Sequence, residues 1–210
     1  MRRVVVAVCA VVTTAAGCTA QAQPPADPVK DPATVVRDLV LRDQDTSAKG
    51  LTKVGDPVVG TQKLVECPEL PSADKAVAGV TAKWTWSHAA EKAEITEYAV
   101  VYRDVPGRDV VREARAASTC HRGIGEVESP LQLDEYFYSQ DSLGTTKPFV
   151  DDRFGYCLWN NPRHRRVCTA LQAKGDKVVR VTVDVTGERT DLESIGSATF
   201  AQLVTDRLVG

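Results

Sequence analysis

The chain has 210 residues, 43% of them hydrophobic, and a formal charge of −2 from 26 Lys and Arg against 28 Asp and Glu. That balance gives no reason to expect nucleic-acid binding or a polybasic membrane contact. The length is enough for one sizeable core or two small ones.

Arg2 and Arg3 form a basic start, and Val4 to Ala16 is an apolar run too short to span a bilayer as a stable helix. Small residues then lead to Cys18. This is the pattern of a secretory signal; a buried core helix fits less well, because only polar, Pro-rich sequence follows. Ala15-Ala16-Gly17-Cys18 resembles the lipobox of bacterial lipoproteins, with Ala15 where Leu is usual. The resemblance implies that the Cys18 thiol takes a diacylglycerol and becomes the new N-terminus. Two acyl chains on one residue suffice for stable anchoring where one would not. Ala20-Gln21-Ala22 is a competing A-x-A site, and cleavage there would release a soluble protein. With residues 1–17 taken as signal, 193 residues remain, and the loss of Arg2 and Arg3 brings the charge to −4.

Residues 18–33 are polar and hold four prolines, so they read as an extended linker. A single domain is expected over residues 34–210, opening with the apolar segment TVVRDLVL and a Gly-punctuated stretch to Gly60. In AVAGVTAKWTWS, Ala78, Val80, Ala82, Trp84 and Trp86 alternate with polar residues, the period of a half-buried strand. Ile95 to Tyr102 reads as a more central strand, apolar on both faces toward its end. From Arg108 to Cys120 the period becomes helical, with Val110, Val111, Ala114, Ala117 and Ser118 on one face. Gly123 to Val150 has little period of either kind. Strands follow at Phe154–Trp159 and Arg165–Ala173, joined by a turn at Asn160 to His164, and a third alternates Val179, Val181, Val183 and Val185 with polar residues. A helix from about Glu193 closes the chain, with Gly196, Phe200, Leu203, Val204 and Leu208 inward. The fold class is therefore α+β: an antiparallel sheet with helices packed on one face.

Leaving aside Cys9 and Cys18, the cysteines are Cys67, Cys120, Cys157 and Cys168, an even number in an exported chain, so two disulfides are expected. If the hairpin turn centres on Pro162 and Arg163, Trp159 faces Arg166 and Cys157 faces Cys168, close enough to be bridged. Elimination leaves Cys67 with Cys120, although four cysteines permit three pairings. No C-x2-C pair exists and His88, His121 and His164 lie at no ligand spacing, so no metal and no cofactor are expected.

The order of parts carries a resemblance. A strand (EITEYAVVYRD) precedes a helix ending in cysteine (VREARAASTC), a strand opening with cysteine (VCTALQAKGDKVVRVTV) and a C-terminal helix (SIGSATFAQLVTDRLV). Over roughly Thr34 to Val209 this resembles the PknH-type extracellular sensor-domain family of actinobacterial kinases and lipoproteins. The resemblance implies an antiparallel sheet with helices, two disulfides and a cleft for an unknown ligand. The family's first disulfide maps onto Cys67 and Cys120, and its strand-opening cysteine onto Cys168. The family's fourth cysteine follows the valine-rich strand, where this chain has none, and its Trp three residues before the helix-end cysteine is Ala117 here.

Catalytic patterns are missing from the sequence. G-x-S-x-G and Gly-rich phosphate loops do not occur, and the histidines sit in turns or at a helix end without an orienting partner in view. Asp134-Glu135 and Asp151-Asp152 are adjacent carboxylates, which point to opposite sides of a strand rather than forming an acid/base pair. Arg163-His164-Arg165-Arg166 is a basic cluster that reads as a soluble turn, with anionic headgroups or wall phosphates as the alternative. Trp84, Trp86, Tyr136, Phe137 and Tyr138 are the candidate ligand-lining aromatics, core packing being the competing role for the two tryptophans. The expected function is a non-catalytic binding or sensing module outside the cytoplasm, held to the membrane by its N-terminal lipid and taking a small ligand or envelope component in a cleft. The alternatives are a protein-interaction scaffold and an unrecognised envelope hydrolase.

Overall fold

The computed structural model describes residues 30–47, 50–66, 69–88, 91–117, 131–132, 150–160, 164–187 and 197–209. Its frame is one antiparallel sheet. Five short or outer strands, β1 (Thr52–Lys53), β2 (Val58–Val59), β3 (Ala76–His88), β5 (Leu131–Gln132) and β6 (Asp152–Asn160), flank three inner ones, β4 (Glu91–Tyr102), β7 (Arg165–Lys174) and β8 (Lys177–Thr186). The order across the sheet is β1-β3-β4-β8-β7-β6-β5, with β2 also paired to β3. The β6–β7 register places Trp159 opposite Arg166 and Cys157 opposite Cys168, as the turn composition predicts. The last two form a disulfide. Cys67 and Cys120 lie outside the described residues.

The helices do not share one face. α1 (Pro32–Leu39) and α4 (Ser197–Val209) pack Val36, Leu39, Val204 and Leu208 on the face formed by Val80, Trp84, Ile95, Ala99 and the β8 valines. α3 (Gly107–Ala117) packs Val110, Val111 and Ala114 on the opposite face, against Val100, Leu171, Ala173 and Val178. The expectation of cover on one face is thereby corrected. The physical reason lies in the inner strands. Tyr98 to Tyr102 of β4 and Val167 to Ala173 of β7 are buried on both sides of the pleat, and each side needs its own cover.

Local sequence explains each boundary. The Asp31 carboxylate accepts a bond from the Thr34 amide at 3.3 Å, and Pro32 opens α1 without a backbone N–H to satisfy. A four-residue helix, α2 (Asp43–Thr46), follows, with Arg42 N–H donating to Asp45 at 2.8 Å. α3 begins at Gly107, where a Cβ would lie 2.6 Å from the Lys177 carbonyl oxygen, so only glycine lets the helix approach the β7–β8 turn. In that turn Gly175 has φ +60°, and Asp151 accepts from the Gly175 amide at 2.7 Å and from Lys174 at 3.0 Å.

Candidate functional site

The second face of the sheet carries an aromatic floor. β4 contributes Tyr98 and Tyr102, β6 contributes Tyr156, and β8 places Arg180 among them. The Arg180 guanidinium sits 5.4 Å from the centroid of the Tyr98 ring, in cation–π contact. Over this floor run residues 60–66. Arg180 donates to the carbonyl oxygens of Lys63 and Leu64 at 2.9 and 3.1 Å, and the Gln62 amide donates to the Tyr98 hydroxyl at 3.0 Å. Gly60 N–H donates to the Gly79 carbonyl at 2.8 Å. Gly79 is essential to that approach, because a Cβ there would stand 2.6 Å from the Gly60 oxygen and 2.8 Å from the Tyr98 hydroxyl.

Between this segment, the turn at Ala73 and the floor at Ala76 and Tyr102 lies a cavity of about 180 Å³. An engineered core cavity of roughly 150 Å³ accommodates benzene, so this one is sized for a single ring or a short polar group. Tyr102 is buried, and its ring lines this cavity. Burial pushes the Tyr98 phenol up and, with Tyr98 and Glu113 nearby, pushes Tyr102 up further. Burial also raises Tyr156 and lowers Arg180. The phenols therefore hold their protons at neutral pH. Tyr98 accepts from the Gln62 amide while keeping its own proton, and Arg180 supplies positive potential behind the cavity wall. Arg180 makes no ion pair among the described residues, and its Nε–H is buried without a hydrogen-bond partner there.

A second buried charge-bearing group lies on the other face. Glu97 of β4 is fully buried among apolar neighbours, its Oε2 accepting from the Leu41 amide at 3.0 Å and its Oε1 unpartnered among the described residues. Burial raises its pKa to about 8, offset in part by that amide and by Arg207, which is itself paired with Asp45 at 2.6 Å. Nearby, the Thr205 hydroxyl of α4 donates to the buried Gln172 side chain at 2.7 Å.

The aromatics singled out from sequence are placed differently from this floor. Trp84 is fully buried in the core under α1, and Trp86 is partly buried on the same face, its indole 3.9 Å from where a Gly50 Cβ would stand. The sheet separates both from the tyrosine floor. Tyr136, Phe137, Tyr138 and Cys18 lie outside the described residues. In the basic hairpin, Arg165 pairs with Asp184 and Arg166 reaches the Cys157 sulfur at 3.6 Å, while His164 is exposed. Asp152 pairs with Arg115 of α3 at 3.0 Å.

Sequence reasoning passed over Tyr98, Tyr102, Arg180 and Glu97. For Glu97 a signal was present: Ala93, Ile95, Ala99 and Val101 make an apolar period-two row that the carboxylate interrupts. For Arg180 there was none, since alternation with valines reads as a solvated face until a distant segment covers it.

No protein-family model matches the sequence, and no curated protein matches it. Among solved structures, the crystal structure of the extracellular domain of PknH from Mycobacterium tuberculosis matches with a TM-score of 0.52 at 9% identity, covering 86% of this chain and 97% of that one. In fold, the chain is similar to the PknH extracellular domain. At 9% identity the likeness is one of architecture, and it supports the α+β fold expected from the order of strands and helices.

Proposed function

We propose that this protein is an exported, lipid-anchored sensing module of the cell envelope, in which the cavity under residues 61–65 takes a small ligand. The observation that carries this reading is that cavity: a partly open hollow lined by the buried Tyr102 ring, beside an aromatic and cationic cluster. A ligand bearing an acceptor oxygen and a small flat apolar part would accept from the Tyr102 hydroxyl and fill the space. The likeness to an extracellular domain supports an extracytoplasmic setting, as does the Cys157–Cys168 disulfide in a chain whose N-terminus reads as a signal. In that setting Cys18 carries the diacylglycerol, and a Cys67–Cys120 bridge ties the segment over the cavity to the end of α3.

Native mass spectrometry of protein purified from its own host tests the ligand: a bound mass is expected, and it is lost in Tyr102→Phe. A protein without bound mass, or equal retention in the variant, would count against the reading. Intact-mass analysis tests the rest, with a diacylglyceryl Cys18 and no free thiol at Cys67 or Cys120 expected.

An interaction scaffold is the second reading, favoured by the exposed Val58 and Val59 of β2 on the outer edge of the sheet, 68% and 57% accessible. It predicts a membrane partner retained by Tyr102→Phe and released by Val58→Glu.

A further inference from the structure

The arginines of α3 all have carboxylate partners: Arg108 and Arg112 reach Asp109, and Arg115 reaches Asp152. The α1 face differs. Arg37, and Arg42 between α1 and α2, are exposed and form no ion pair among the described residues. Of the carboxylates around them, Asp38 is engaged by Lys30 at 3.0 Å, Asp43 by Lys53 at 3.5 Å and Asp45 by Arg207 at 2.6 Å, with Arg42 adding to the positive charge that lowers the Asp45 pKa; Asp206 lines the first hollow as well. The same two arginines line two hollows. One, of about 490 Å³, lies between α1 and α4 with Leu39 and Leu208 in its lining; the other, of about 360 Å³, lies between α2 and β3 with Val40 and Val80. Of the six cationic side chains that line the hollows, Lys30, Lys53, Lys177 and Arg207 have carboxylate partners, which leaves Arg37 and Arg42.

We propose that this face is a contact surface for anionic phospholipid headgroups. Arg37 and Arg42 hold the phosphate, and the flanking hollows take the adjoining apolar carbons. A guanidinium fork matches phosphate oxygens bidentately and gives up less hydration than an ammonium, so two unpaired arginines are suited to that task. Val35 and the alkyl stems of the lining Lys and Arg side chains give the carbons next to the phosphate an apolar surface that a free anion would not use. The inference rests on the envelope reading above. If Cys18 is the anchor, the twelve residues from it to Lys30 span at most about 40 Å, which keeps α1 within reach of the bilayer.

The test is vesicle co-sedimentation of the exported full chain carrying Cys18→Ser, which removes the acyl chains. Binding is expected to vesicles of equal parts phosphatidylcholine and phosphatidylglycerol, to weaken steeply with salt, and to be small with phosphatidylcholine alone. Arg37→Gln/Arg42→Gln should weaken it about thirtyfold, at roughly a factor of five to six per arginine. Arg112→Gln on α3 should leave it unchanged, with circular dichroism reporting the fold of each variant. Equal binding to both vesicles, or unchanged binding by the double variant, would overturn the proposal. So would displacement by inorganic phosphate at matched ionic strength, which would mark a free-anion site. The mass retained in the cavity is read separately, so the two readings fail independently.

Discussion

A carboxyl in the position of Glu97 is costly to ionise, because burial outweighs its one amide donor and the Arg207 charge nearby, which Asp45 partly cancels. The unfolded chain releases this proton near pH 4.5 and the folded chain holds it to about 8. Between those values the folded state carries the extra proton, so this group's contribution to stability declines as pH rises through the window. By pH 7 the loss amounts to roughly 3 kcal/mol at about 1.4 kcal/mol per pH unit. Glu97→Gln should therefore stabilise the protein most near pH 8 and hardly at all near pH 4.5, as read from urea midpoints across that range. Trp84, fully buried on the same face, gives a different signature. Trp84→Ala should cost about 3–5 kcal/mol at every pH through the cavity it leaves. Thermal denaturation would show it, and the mass retained by the folded fraction should not change.

At the scale of elements, the site depends on how closely one irregular segment lies on the sheet. Gly60 to Leu64 is held by the Gly60–Gly79, Gln62–Tyr98 and Arg180–Lys63/Leu64 bonds. Gly79→Ala places a methyl into the Gly60 oxygen and the Tyr98 ring, so the segment must lift. A destabilisation of about 1–3 kcal/mol is expected, with faster amide exchange at Gln62 and Leu64 than elsewhere. The β6–β7 hairpin is stapled by Cys157–Cys168, eleven residues apart in sequence. Chain entropy assigns such a loop about 3 kcal/mol, so Cys157→Ala/Cys168→Ala should lower the denaturant midpoint accordingly. That register was legible beforehand, because the turn composition at Asn160 to His164 fixes which residues stand opposite each other. The short strands β1, β2 and β5 were not legible: two residues are too few to show a period, and only the neighbouring strand makes them strands.

Across the whole molecule, two cores share one sheet. Removing residues 197–210 takes Val204, Leu208 and the Thr205–Gln172 bond from the first face and exposes the β8 valines. The truncated chain should bind a hydrophobic dye and lose cooperative unfolding, while retained near-native stability would show that α1 alone suffices to cover that face. The sequence by itself determined the long strands and the α3 and α4 helices, and offered Cys157 opposite Cys168 as one of three possible pairings, because periodicity and turn chemistry are local and survive without tertiary contacts. Only the tertiary structure decided that the helices divide between two faces, that Trp84 belongs to the core, and that Tyr98, Tyr102 and Arg180 meet beneath residues 61–65. Those outcomes depend on which distant segment covers which side of the pleat, and an alternating strand looks the same whether its polar face meets water or another piece of chain.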